Sequence, residues 1–291
     1  VSFIHGGGKT MASYRYRAAI PASVIGASLN ELDADVLIFA KPMPAELELA
    51  MRAVQAGRAV LVDFCDDHFE RFHWYKRFSR LAHVATCPTE AMARIVKHHD
   101  FLADPQVVPD PYEYPEEAPH CAGDEVLWFG HKTNLPSLER VRRHIRRPLT
   151  VVSNAPGTVP WSHDSMPEHF AKADIVIIPA TAGYKSPNRA VEAIRQGCFV
   201  VAEWHPSIQH IPGIFVGNIL EGIEWAIQNP SEANSRTLRA QQYVTERYSP
   251  QTVGDAWKSL CEKASSRSIS AAGTAYGPGG STLTASTSAQ T

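Results

Sequence analysis

The sequence predicts an α/β protein of two lobes, each a mostly parallel sheet with helices on both faces. Three observations carry this expectation. Short unbroken apolar runs, such as residues 36–40 and 59–63, alternate with helical patterns, as expected of strands buried on both faces. Residues 109–119 hold four prolines among acidic side chains, which can continue neither a sheet nor a helix and so read as a linker between domains. Residues 175–202 read as strand, loop, helix and strand in succession, a βαβ unit within the second half.

In the first half, residues 1–4 form an expected strand, 6–10 a glycine-rich loop and 12–27 a helix. The strand at 36–40 precedes a helix at 44–56 that ends near Gly57, the residue type suited to a left-handed helix cap. The strand at 59–63 leads into the acidic turn Asp66-Asp67-His68, with a helix expected to begin near Phe69. Strands at 84–86 and 106–108 enclose a helix over roughly 89–98. These elements define a first domain at 1–108, followed by a linker at 109–122.

The second domain, 123–264, carries expected strands at 125–130, 149–153, 175–178 and 199–202. Its helices are placed at 137–145, near Phe170, and after Pro187, since proline is best tolerated in the first turn. Three closing helices follow at 221–228, 232–247 and 250–263. From Ser265 on, Ser, Thr, Ala and Gly leave almost no large apolar side chain, so residues 265–291 are predicted to be disordered.

A hydrophobic fraction of 44%, a charged fraction of 20% and a net charge of −2 are ordinary for a soluble protein and give no global drive toward nucleic acid. No apolar run is long enough to span a bilayer. The opening residues read as the middle of a strand without an initiator Met, so the N-terminus is expected to be cropped. The five cysteines are widely spaced and lack a C-x-x-C pair, which favours free thiols in a reducing cytoplasm over disulfides or zinc. None of the thirteen histidines shows zinc-enzyme spacing.

The stretch from Tyr184 to Gly197 concentrates the chemistry. A helix starting just past the carboxyl end of a parallel strand presents unpaired N–H groups and a partial positive charge, which suits a phosphate. Lys185 lies in the approach loop with Ser186 and Asn188, and Arg189 and Glu192 share one helical face. Lys185 and Arg189 could neutralise a diphosphate, and Glu192 could accept from ribose hydroxyls. A merely solvated charged face is the plainer reading of any one of these residues.

Gly8-Lys9-Thr10 resembles the end of a P-loop, but the position of the loop's first glycine holds Phe3, which keeps a nucleotide triphosphatase a minority reading. Close approach of the Gly7-Gly8 backbone to a ligand is the simpler one.

Taken together, the two halves, the Pro-rich linker and the residues of the second half resemble the GT-B glycosyltransferases, and most nearly the retaining family 4 type. Residues 185–193 (KSPNRAVEA) and 197–202 (GCFVVA) fit the segment that in that family carries two glutamates separated by seven residues. The position of the first glutamate holds Tyr184, and Phe199 replaces a familiar proline. Gly130, His131 and Lys132, with Asn134, resemble the glycine turn where basic residues meet the donor's diphosphate. Residues 107–111 and 86–92 resemble the family's linker entry and a strand-to-helix step.

The resemblance implies two Rossmann-like α/β/α domains facing a central cleft, and transfer of a sugar from a UDP- or GDP-sugar to an unknown acceptor, saccharide or lipid-linked. Lys185 and Arg189 would stabilise the leaving diphosphate without a metal, with no other cofactor, and Glu192 would hold the ribose. Asp66, Asp67 and His68 would present polar groups to sugar or acceptor, or cap the next helix. Gly7, Gly8, Arg15 and Arg17 would lie on the acceptor side, although outward-facing arginines are the plainer expectation for the last two. The basic, aromatic stretch 73–80 could dock on an anionic membrane, and 140–147 is a second basic cluster; both patterns also fit solvated helix faces. Tyr184 keeps open a non-catalytic nucleotide-sugar-binding or scaffold protein on the same fold.

Overall fold

A computed structural model describes residues 1–99, 104–180 and 182–274. The first lobe contains β1 (Ser2–Ile4), α1 (Ala12–Tyr14), a π-helical turn (Arg15–Ala19), α2 (Ile20–Ile25), β2 (Ser28–Leu29), β3 (Val36–Ala40) and α3 (Leu47–Gln55). It continues with β4 (Ala59–Asp63), α4 (His73–Leu81), β5 (Val84–Cys87), α5 (Glu90–His99) and β6 (Gln106–Val107). The second lobe contains β7 (Val126–Phe129), α6 (Leu135–Arg142), β8 (Leu149–Ser153), β9 (Val159–Pro160), α7 (Met166–Lys172) and β10 (Ile175–Ile178). After these come α8 (Asn188–Arg195), β11 (Phe199–Ala202), β12 (Phe215–Val216), α9 (Ile219–Gln228), α10 (Pro230–Tyr248) and α11 (Pro250–Thr274).

Each lobe is a six-stranded parallel sheet, ordered β2-β1-β3-β4-β5-β6 and β12-β11-β10-β7-β8-β9. Strands β3, β4, β7, β10 and β11 are buried along their whole length, as their unbroken apolar runs require when helices cover both faces. Strand order reverses between β1 and β3 in the first sheet, and between β7 and β10 in the second. Such reversals open a crevice beyond the carboxyl ends of the strands, the usual ligand position in open α/β sheets. Segments 5–11 and 41–46 of the first lobe, and 130–134, 179–180 and 182–187 of the second, lie at those points.

Helix α11 departs from the expected domain boundary. Although it follows the second lobe in sequence, Val253, Trp257, Leu260, Cys261 and Ala264 join Phe3, Ile38, Leu61 and Val84 in one core of the first lobe. The Trp257 ring meets Phe3 edge-on at 5.4 Å. Sequence periodicity marks which side of this helix is apolar, not which sheet it covers. The helix also continues to Thr274, into the stretch 265–291 read as disordered. Once a docked helix is nucleated, each added alanine or serine gains a backbone hydrogen bond with no new nucleation cost. The remaining tail expectation, for 275–291, lies outside the described residues.

The segment 12–27 is helical as expected but not uniformly so. Its middle widens into the π-helical turn, and Gly26 ends it at φ 66°. The helix after the acidic turn begins at His73 rather than near Phe69, and its N-cap Phe72 makes no side-chain cap, so Asp66 and Asp67 do not cap it. In α4, Tyr75 and Phe78 enter the core while Arg77 and Arg80 stay exposed, and Trp74 stacks on Phe72 at 4.3 Å. The stretch that could have offered aromatics to a membrane thus places Trp74, Tyr75 and Phe78 in packing. No helix among the described residues is long and apolar enough to cross a membrane. All five cysteines are free.

Candidate functional site

The loop 182–187 reaches from the second lobe onto the first. Tyr184 packs beside the first lobe's core, and its carbonyl accepts from Thr89 Oγ1 at 2.8 Å. Lys185 then pairs with Asp66 Oδ1, while Lys41 Nζ lies 2.9 Å from Asp66 Oδ2 and His68 Nε2 lies 4.0 Å away. Burial opposes the charge of Asp66, but the two ammonium groups outweigh it and hold the carboxyl well below the usual carboxylate range. Asp67 makes no ion pair among the described residues.

Arg189 stands in the first turn of α8, half-buried and without a carboxylate in ion-pair range among the described residues. Its Nη1 donates only a long bond, 3.4 Å, to the Phe129 carbonyl, and its guanidinium lies 5.9 Å from the centre of the Trp128 ring. Burial alone pushes its pKa down to about 10. At Gly130 a Cβ would come within 3.3 Å of the Trp128 ring, so the bare backbone gives room to the ring that faces Arg189.

A pocket beside Arg189 is lined by Pro179, Ala180, Ser186, Glu203 and His205. Glu203 accepts from Ala180 N at 2.7 Å and pairs with Arg140 at 2.8 Å. His205 Nε2 faces the Ala182 carbonyl at 2.8 Å, and the Ser207 hydroxyl donates to the Lys185 carbonyl at 2.7 Å. Glu203 and His205 thereby brace the loop that carries Lys185. Sequence reading missed both, along with Lys41; their position just beyond the ends of β11 and β3 was the available signal.

Glu192 is not placed as expected. Instead of opening onto the crevice for a ribose, its carboxyl is 2% exposed and roofed by the linker. Oε1 accepts from Glu113 N at 2.8 Å and from the Tyr16 hydroxyl at 3.1 Å, and Oε2 from Tyr114 N at 3.3 Å. Burial raises its pKa to about 8 despite those donors. Asn188 likewise turns to the linker, donating to Asp110 Oδ2 at 2.7 Å while its own oxygen accepts from Ser186 Oγ at 2.6 Å.

Arg17 is the clearest correction. Rather than facing an acceptor or solvent, it is 1% exposed and binds Asp63 through two bonds, Nε–Oδ2 2.9 Å and Nη2–Oδ1 2.6 Å. Its Nη1 reaches Asp110 Oδ1 at 2.9 Å and the Val108 carbonyl at 2.6 Å. Asp63 also accepts from Thr86 Oγ1 at 2.8 Å, which leaves it unavailable as the magnesium-binding acid of a P-loop enzyme. Within the π-helical turn Tyr16, Arg17 and Ala18 are all buried, so this stretch faces the interior and not the solvent. Arg15 pairs with Glu113 of the linker, Nε–Oε1 2.5 Å, and stacks 5.2 Å over Trp161.

In the glycine-rich loop, a Cβ on Gly7 would strike Met11 Sδ at 2.4 Å and the His5 ring at 2.6 Å, so its own neighbours account for the glycine. Gly8 has nothing closer than 3.9 Å and can admit a ligand. Across the crevice, His131 caps the 3-10 turn Lys132–Asn134 by accepting from Thr133 N, and the Lys132 backbone donates to Asn154 at 2.8 Å. Lys132 itself is exposed. The basic cluster of 140–147 is largely paired, Arg142 with Glu139 and Arg147 with Glu224. Among the described residues no group of three or more His, Cys, Asp or Glu side chains is placed to hold a metal ion.

No family model and no curated protein matches the chain. Solved structures do. HepE of Anabaena, in complex with UDP and glucose, superposes with a TM-score of 0.72 at 12% identity, over 90% of this chain and 99% of that one. TarM of S. aureus, a mutant in complex with fondaparinux, α-GlcNAc-glycerol and UDP, gives 0.62 at 14% identity, over 80% of this chain and 57% of the other. A glycosyltransferase from Rickettsia africae gives 0.59 at 9% identity, over 90% and 98%. The fold is GT-B, two parallel-sheet α/β lobes as the sequence implies.

Proposed function

We propose that the protein is a glycosyltransferase that takes a sugar from a nucleoside diphosphate sugar, UDP- or GDP-linked, and passes it to an acceptor hydroxyl. The observation that carries this reading is Arg189, a half-buried cation at a strand's carboxyl end with no carboxylate counter-ion among the described residues. A diphosphate would supply the missing charge. Lys185 lies one turn ahead of it, and the N-terminus of α8 adds the partial positive charge of its free N–H groups.

In the reaction the bond between the anomeric carbon and the diphosphate oxygen breaks, the acceptor oxygen bonds that carbon, and the acceptor's proton passes to the departing diphosphate. Negative charge accumulates on the leaving diphosphate. Fixed cations aimed there stabilise the transition state more than the bound substrate, which lowers the barrier. Lys185 and Arg189 supply that charge without a metal, and we take Gly8 and the Asp66–His68 turn as the acceptor-facing side. Glu192 acts as a tie between lobe and linker, not as a ribose ligand. Similarity to proteins solved with UDP makes UDP-sugars the first donors to try. Retention of configuration is the family 4 expectation, and the five free thiols support a reducing, cytoplasmic setting.

A second reading, a non-catalytic nucleotide-sugar binder, is favoured by Tyr184, which packs against the first lobe where the related family places a glutamate. Isothermal titration with UDP, GDP and their sugars, together with assay of released nucleotide, separates the two. An enzyme binds and releases nucleotide; a binder only binds. Arg189→Ala should weaken nucleotide binding at least ~10-fold with the fold intact. Unchanged affinity in that variant removes the donor-site assignment.

A further inference from the structure

Two ammonium groups, one from each lobe, converge on a single carboxylate. Lys185 pairs with Asp66 Oδ1, and Lys41 lies 2.9 Å from Oδ2. Lys41 is not carried there by a relaxed strand. It follows β3 at φ 57°, the left-handed region, where its backbone N–H donates to the Asp63 carbonyl at 3.1 Å. A lysine is strained in that conformation, and such strain persists only where the surroundings fix it, most often at binding sites. The kink lies at the reversal of strand order in the first sheet, facing the loop that carries Lys185.

Lys185 is also the cation assigned above to the donor's diphosphate, and the present inference rests on that reading. A phosphate oxygen approaching its ammonium meets the Asp66 charge on the same group, so the two anions compete. Were the phosphate to win, it would inherit both partners of Asp66, because Lys41 and Lys185 already point at one shared position. We propose that the diphosphate of the sugar nucleotide displaces Asp66 from between Lys41 and Lys185. Lys41 is then a third phosphate-binding cation, contributed by the first lobe, and Asp66 is an internal anion that holds the clamp until the donor arrives. His68, whose Nε2 lies 4.0 Å from Asp66 Oδ2, is the neighbouring group toward which the carboxylate would turn.

Affinity for the nucleoside diphosphate, measured by titration calorimetry, tests this through variants with opposite expected signs. Lys41→Met removes a phosphate ligand and should weaken UDP binding about 10-fold. Asp66→Asn removes the competitor and should tighten it several-fold, and adding Lys41→Met to that variant should weaken it again. Uridine, which lacks phosphate, should bind all of them alike. Lys41→Gly accepts the left-handed backbone and replaces Lys41→Met if that variant does not fold; Asp66→Ala does the same for Asp66→Asn. Equal UDP affinity of Lys41→Met and wild type overturns the proposal, as does weaker binding by Asp66→Asn, which would make Asp66 a mere structural partner. If binding needs Arg189 but ignores Lys41 and Asp66, only this inference fails. If UDP, GDP and ADP all fail to bind the wild-type protein, the donor-site reading fails with it.

Discussion

The Tyr16 hydroxyl donates to Glu192 Oε1 at 3.1 Å, joining the π-helical turn of the first lobe to the helix that carries Arg189. The same oxygen takes the Glu113 N–H of the linker, so one carboxyl ties three parts of the chain.

Because burial raises the Glu192 pKa from 4.5 to about 8, the folded state holds this proton more tightly than the unfolded chain. Its contribution to stability is fully present below about pH 4.5 and is lost as pH rises through 8. Glu192→Gln keeps the shape and an acceptor oxygen but cannot ionise. The melting temperature of the wild type relative to Glu192→Gln should therefore fall steadily between pH 5 and 8. A difference that stays flat over that range would show that this carboxyl does not titrate with folding.

Arg17 and Asp63 are 1% and 0% exposed, and Asp110 joins them at 6%. Removing one member of a buried, hydrogen-bonded charge set leaves its partners desolvated, at a cost of about 3–5 kcal/mol. Arg17→Met should show that loss in urea unfolding. Arg17→Lys should recover only part of it, since an ammonium cannot reproduce the two-bond fork to Asp63. A loss below about 1 kcal/mol in Arg17→Met would return Arg17 to the surface role that the sequence suggests.

Substitution of Lys185 would separate the proposed catalysis from folding. Its side chain is 43% exposed, so its ion pair with Asp66 should add little to stability. Lys185→Ala should lower turnover about 100-fold while the melting temperature moves by only a few degrees. Full turnover in that variant would remove Lys185 from the leaving-group site.

The parts of this fold legible in the sequence were those whose signal is local. Strands β10 and β11 and the start of α8 are recovered to the residue because two apolar runs and Pro187 mark them. Strands β2 and β9 have two residues each and no apolar run to mark them, whereas the equally short β6 is marked by Val107-Val108. The allegiance of α11 is hidden for another reason: an apolar stripe tells that a side is covered, not by what. Within the site, Lys185 and Arg189 could be picked out from one segment. One partner of Glu192, Tyr16, lies 176 residues away, and Arg17 is drawn inward by Asp63, 46 residues away. Pairings over such separations leave no trace in residue spacing.

Helix α11 has a mechanical corollary. Its return to the first lobe means that the backbone passes between lobes twice, near Tyr112 and near Ser249. The Tyr112 N–H donates to the Tyr248 carbonyl at 2.9 Å, so the two passages run pinned side by side. A pair of strips fastened together bends readily across its width and resists twisting. Any opening of the crevice should therefore turn about these two paired crossings.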